Sequence, residues 1–361
     1  MRMRMAGAVA LAVCCLAPPS AAERRADAGE ITLQSVFLVG ATIRGAALEG
    51  DVLYVATPYS LVVYDVGTPT SPELLATRPS SRLIHGELIS TGGDLLLLNG
   101  GFTGGGLDVW NVEDKSNPVL AGTLEGQPDE HFSCVLDCRW AYGSEGTIVD
   151  LRVPQEPDVH SLDWKVEAGI GEEHLHRVDE YRPGFMATAP RGGAPAIVDV
   201  RDPLRPRIVA RTQMPRLNRS AFLYSSWARG GDDRFLVTST ENPSCGDDHQ
   251  AALVTYDTKG WPQDRKFEVA GRFRYAGRTE DEACLAYYFS LHPDFADGGL
   301  VLLPNGLEGT RVLEMASDGS MTEAASFVLP TSDVWLTFWA DEEIFYALNM
   351  TGEVYVLRYQ P

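Results

Sequence analysis

Positive charge is what this chain has least of. It carries 30 Lys and Arg against 50 Asp and Glu, a formal net charge of −20 at pH 7. Nucleic acid and anionic membrane surfaces are held by a basic face, so the balance excludes both as expected partners. Lysine is scarcer still, with Lys115, Lys165, Lys259 and Lys266 the only copies, a mild mark of a GC-rich bacterial genome. No apolar run approaches the roughly 20 residues a membrane-spanning helix needs. Long stretches with helical periodicity are missing too, which disfavours α/β layouts. The glycine-rich stretches GGFTGGG (100–106) and RGGDD (229–233) lack the lysine and following helix of a phosphate loop, and read as hairpin turns. There is no Gly-x-Ser-x-Gly elbow, so nothing points to a serine triad.

The N-terminus has the layout of a secretory signal. Arg2 and Arg4 form a basic start, Ala6–Ala17 a short apolar run, and Ser20-Ala21-Ala22 a small-residue cleavage site before Glu23. The expected division is a signal over 1–22, a loose segment over 23–30 and one folded domain over 31–361. The mature protein is expected to be soluble and monomeric, and secreted, periplasmic or at the cell surface. A lipid anchor on Cys14 is the less favoured alternative, because Val13 fits that motif poorly. Cleavage leaves four cysteines, Cys134, Cys138, Cys245 and Cys284, and an even number in an exported chain suggests two disulfides.

What is present is a repeat. LVVYDVGTPTSPELLA (61–76), LDVWNVEDKSNPVLAG (107–122), TIVDLRVPQEPDVHSL (147–162) and AIVDVRDPLRPRIVAR (196–211) share one pattern. In each, a Pro follows an Asp or Asn by seven residues: Asp65/Pro72, Asn111/Pro118, Asp150/Pro157 and Asp199/Pro206. The acid or amide ends a strand and caps a turn, and the Pro restricts the chain beyond the ladder. Successive copies lie 46, 39 and 49 residues apart (65→111→150→199), the length of one four-stranded propeller blade. Later units, over about 219–274 and 284–329, are longer and less regular, and the tail supplies only three strands. ITLQSVFLVG (31–40) is free to supply the fourth. The expected fold is therefore an all-β, seven-bladed β-propeller of four-stranded antiparallel blades, closed by its N-terminal strand.

The four repeat units resemble the LVIVD-repeat family of bacterial propellers. HFSCVLDCRWAYGS (131–144) and CLAYYFSLHPDFADGGLVLLPNGLEGTRVLEM (284–315) are similar to an exported subgroup, and the likeness covers almost all of the mature chain. The resemblance implies the propeller fold and leaves the activity open. It also marks departures. The subgroup carries His-Asp where this chain has His176-Arg177, His where it has Leu223, and His-Trp-Phe where it has Tyr287-Tyr288-Phe289.

The innermost strand of each blade starts at the rim of the central channel. By this register the starts hold Arg44, His85, His131, His176, Leu223, Tyr287 and Trp335. With Glu87, all but Leu223 are candidates for a channel-mouth binding site. His85, His131 and His176 are the candidate ligands for a transition metal, with Glu87, Glu173 or Asp179 as orienting acids. No cofactor is otherwise expected and no catalytic residue stands out. The preferred function is a binding or interaction module for an unknown protein or small molecule. The alternative is an enzyme using a His-lined channel for metal-assisted oxidation or hydrolysis. Cys134 and Cys138 would lie about 13 Å apart on one extended strand, so their pairing requires a tight turn over 135–137. The expected bonds are Cys134–Cys138 and Cys245–Cys284, the latter with Cys284 at the start of blade six. A Cys/His metal site with His131 is the alternative.

Overall fold

Each repeat ends its third strand on a carboxylate or amide, and the computed structural model shows what that group does. Asp65, Asn111, Asp150 and Asp199 accept the backbone N–H two residues on, from Gly67, Glu113, Arg152 and Arg201, at 2.9–3.1 Å. This short-range bond turns the chain without a ladder partner. The matching prolines, Pro72, Pro118, Pro157 and Pro206, stand immediately before the fourth strands.

The structure describes residues 29–80, 84, 89–100, 105–127, 129–170, 175, 178–190, 194–212, 221–227, 234–242, 251–275, 284–286, 288–295, 298–306, 308–329 and 333–361. At 179, 181, 221–227, 240–242, 284 and 285 only the backbone is described.

Strand β1 (Glu30–Leu38) is held in reserve for the last sheet. The first sheet is β2 (Gly45–Glu49), β3 (Val52–Thr57), β4 (Ser60–Asp65) and β5 (Glu73–Pro79). The second is β6 (Ser90–Gly92), β7 (Leu95–Asn99), β8 (Gly106–Asn111) and β9 (Val119–Glu125). The third is β10 (Phe132–Val135), β11 (Trp140–Gly143), β12 (Ile148–Asp150) and β13 (Asp158–His160). A single helical turn, α1 (Trp164–Ala168), follows, capped by the Asp163 side chain and by left-handed Gly169. Next come β14 (Val178–Arg182), β15 (Phe185–Thr188), β16 (Ala196–Asp199) and β17 (Arg207–Thr212). Then follow β18 (Ala221–Trp227), β19 (Phe235–Asn242), β20 (Leu253–Asp257), β21 (Lys266–Phe273) and the two-residue β22 (Cys284–Leu285). The sheet after these is β23 (Ser290–Leu291), β24 (Gly299–Pro304), β25 (Thr310–Met315) and β26 (Met321–Phe327). The last is β27 (Val334–Trp339), β28 (Ile344–Asn349) and β29 (Glu353–Gln360), completed by β1, which pairs antiparallel with β29 from Glu30↔Gln360 to Leu38↔Glu353.

The architecture is an all-β propeller of four-stranded antiparallel arrays, closed by the N-terminal strand as predicted. The count differs from the expected seven separate blades, because the described strands form six hydrogen-bonded sheets. β14–β17 and β18–β21 share one nine-stranded sheet. Their outer strands run parallel for two residues, Arg211↔Lys266 and Thr212↔Phe267, and join the two arrays at their edges. A second correction concerns Cys284. Strand β22 pairs with β19, with Cys284 opposite Asn242, so it extends the preceding array and does not open the next.

Alternation along the middle strands explains how neighbouring arrays stick. Leu53 and Val55 face the last sheet, packing with Tyr346 and Leu348, while Tyr54 and Ala56 face Leu96 and Leu98 of the second. The same sharing recurs around the ring, for example Leu97 with Ala141, Tyr142 with Met186, and Leu302 with Phe345. A buried aliphatic or aromatic side chain contributes roughly 1.5–3 kcal/mol, so these interfaces carry the fold. Gly122 on β9 marks how closely the turns approach: a Cβ there would collide with the Pro154 carbonyl oxygen of the next array.

Candidate functional site

The first strand of each array lies toward the axis, and these strands touch one another in series: β27 with β2, β2 with β6, β6 with β10, β10 with β14, β14 with β18, and β23 with β27. Arg44 and His131 hold the same place on this ring. Each is the residue just before its inner strand, and each pairs with the end of the second strand. The Arg44 N–H donates to the Ala56 carbonyl at 2.8 Å, and the Ser144 N–H donates to the His131 carbonyl at 2.9 Å. Trp335 sits one step further in, at a bulge between Val334 and Leu336. His85, Glu87, His176 and Tyr287 lie outside the described residues, so of the predicted polar cup only Arg44, His131 and Trp335 are described.

Two of these three share a pocket. Arg44 and Trp335 line it with Ile43, Leu336, Leu348, Asn349 and Met350, between the last sheet and the lead-in to the first. It measures about 270 Å³ counted out to its open mouth. The Ile43 N–H donates to the Met350 carbonyl at 3.2 Å and fixes one wall to the other. Asn349 is locked by accepting the Gly352 and Glu353 amides through Oδ1, at 3.0 and 2.8 Å. Apolar walls and one guanidinium suit a small amphipathic ligand.

His131 belongs to a different neighbourhood, which the sequence reading missed. It is buried, with Nε2 3.8 Å from Glu130 Oε1. Ser144 Oγ accepts both the Glu130 and the His131 amides, at 3.1 and 3.3 Å. Beside them Asp129 is fully buried and accepts the Glu145 N–H at 2.7 Å and the Thr147 hydroxyl. Burial pushes the Asp129 carboxyl up, against the pull of those bonds. Lys165 of α1 is also buried, its Nζ 3.5 Å from Glu145. Asp129 thus tethers the 143–147 turn, and a Cβ at Gly143 would strike its carboxylate. The run Asp129-Glu130-His131 was the available signal. Among the described residues no group of three or more His, Cys, Asp or Glu is placed to hold a metal ion. Of the predicted ligands only His131 falls among them.

The far end of β10 carries the cysteines. Cys134 is bonded to Cys138 across the tight turn predicted over 135–137, with Cα atoms 4.4 Å apart. Leu136, Asp137 and Cys138 all take left-handed φ values of 54–60°, a costly run for residues with a Cβ. Such a run aims successive N–H groups to one side and makes an anion cradle. Glu180 from the next array fills it. Its Oε2 accepts the Leu136 amide and its Oε1 the Gly184 amide, both at 2.6 Å. Burial nonetheless raises the Glu180 carboxyl, because desolvation outweighs the donors. Cys245 lies outside the described residues, and of Cys284 only the strand position is described.

No family model matches the chain, and no curated protein does. Solved structures match the fold. The Myceliophteria thermophila Cps50 (Swd1) β-propeller domain superposes with a TM-score of 0.65 at 12% identity, over 88% of this chain and 97% of that one. A chain of a mitotic checkpoint complex superposes with a TM-score of 0.63 at 13% identity, over 95% and 98%. At such identity the likeness establishes the fold alone.

Proposed function

We propose that the chain is an exported binding module of the LVIVD-repeat type, with its ligand seat at the axial rim. The observation that carries this reading is the convergence of Arg44 and Trp335, two independently expected rim residues, on one pocket between the closing sheet and the first. The neighbour from a mitotic checkpoint complex is a propeller within a protein assembly, in keeping with a recognition role.

The test is a thermal-shift screen of small molecules and short peptides against the purified protein and Trp335→Ala. Rim ligands raise the Tm of the wild type and lose that effect in the variant. A set of ligands whose shifts are all untouched by Trp335→Ala overturns the rim as the seat. Export is checked by the mass of the protein recovered outside the cytoplasm, which should begin near Glu23.

A further inference from the structure

Fifty acidic residues leave few arginines in want of a partner. Among the described residues the partly buried arginines show this. Arg234 meets Asp257 at 2.9 Å, Arg311 meets Glu308 and Glu323, and Arg358 lies 3.6 Å from Glu343. Arg78 reaches the Asn117 amide oxygen at 2.6 Å and the Pro118 carbonyl at 3.2 Å. Arg44 is the exception. Its Nε is shielded from solvent, and among the described residues no carboxylate or other acceptor meets its side chain. A buried donor without an acceptor opposes folding, so a residue kept in that condition is a candidate for a role outside stability.

Arg44 opens on the pocket walled by Ile43, Trp335, Leu336, Leu348 and Met350. Resting on the rim reading above, we infer that this pocket binds a carboxylate carried on a small branched or aromatic apolar body. The guanidinium forks the carboxylate, and the apolar walls take the body. The overall charge of −20 repels anions at a distance, so a single-charged carboxylate is preferred to a doubly charged phosphate. The carboxylate has two sources, a free acid or the C-terminal residue of a peptide with an apolar side chain.

The experiment is titration calorimetry on the purified protein with isocaproate, its amide, and a short peptide ending in Leu with a free or amidated C-terminus. The expected result is that a free carboxylate binds about tenfold or more tighter than its amide, the weight of one charge-assisted hydrogen bond, and that added salt narrows the gap. Arg44→Gln should abolish the acid-over-amide preference while leaving the Tm unchanged or higher, and Arg44→Lys should keep part of it. Tighter binding of isocaproate than of the free-ended peptide assigns a free acid, and the reverse order assigns a chain terminus. Equal binding of acid and amide, lost in Trp335→Ala, overturns the carboxylate while the rim seat stands. Binding untouched by both Trp335→Ala and Arg44→Gln overturns both. Absence of binding by all four probes, with a lower Tm in Arg44→Gln, overturns the inference and makes Arg44 structural.

Discussion

The outer turns and the inner rim are built on the same repeat, yet they behave oppositely. At the turns one device recurs, with Asp65, Asn111, Asp150 and Asp199 each taking the amide two residues on, and Asp257 taking that of Lys259 at 2.9 Å. At the rim, equivalent positions hold unlike residues, Arg44 and His131, in unlike surroundings. Five arrays reverse their chain in this same way, so the turn is constrained. The residue before an inner strand needs only to offer its backbone, and its side chain is open to other uses. Repetition therefore reads as scaffold, and departure from repetition as the place to look for recognition.

The sharpest way to break the comparison is at a turn. Asp199 accepts its cap amide and is bonded by Arg201 and Arg207 while its own side chain is buried. Asp199→Ala should lower stability by about 2–3 kcal/mol, read by urea denaturation, because several donors lose one buried charged acceptor. Next in size is the clamp under β10. Replacing Cys134 and Cys138 together by Ala should cost about 2 kcal/mol, the chain-entropy value for so short a loop. Reductant should lower the wild-type Tm by more than the variant's. A subtler handle is pH. The Asp199 carboxyl is held far below its ordinary value, first by the Arg201 hydrogen bond. A depressed acid stabilises above its unfolded pKa and loses that contribution as pH falls. The cost of Asp199→Asn should thus be full at pH 7 and shrink below about pH 4. A cost that is flat with pH would mean that charge is not what Asp199 supplies. The smallest effect belongs to the rim. Arg44→Gln should leave stability unchanged or slightly raise it, because it removes a shielded donor that meets no acceptor among the described residues. A loss would place the rim with the scaffold.

The propeller was legible because the turn has a fixed chemistry at a fixed offset. Asp257 escaped that pattern: its turn carries Pro262, five residues on, in a cis bond to Trp261, so the spacing differs although the cap is the same. The joining of β17 to β21 was not legible, since two parallel residue pairs leave no periodic trace. Nor was α1, whose signals, Asp163 and Gly169, bracket only five residues. At the site, register alone singled out Arg44, His131 and Trp335. Which of them share a pocket depends on how the last sheet meets the first, and that is set by packing between strands some 300 residues apart in sequence. The burial of Asp129 and Lys165 went unmarked, because it depends on the 143–147 turn and on α1.

The pairing of β1 with β29 has a consequence for the order of events. Translation delivers Glu30–Leu38 long before Glu353–Gln360. The ring cannot lock until these two segments meet, so contacts of great sequence separation are made late and folding should be slow. Until then β29 waits with a bare edge, the kind of surface that recruits a wrong strand. Maturation therefore depends on keeping one early segment unspent while the whole wheel assembles.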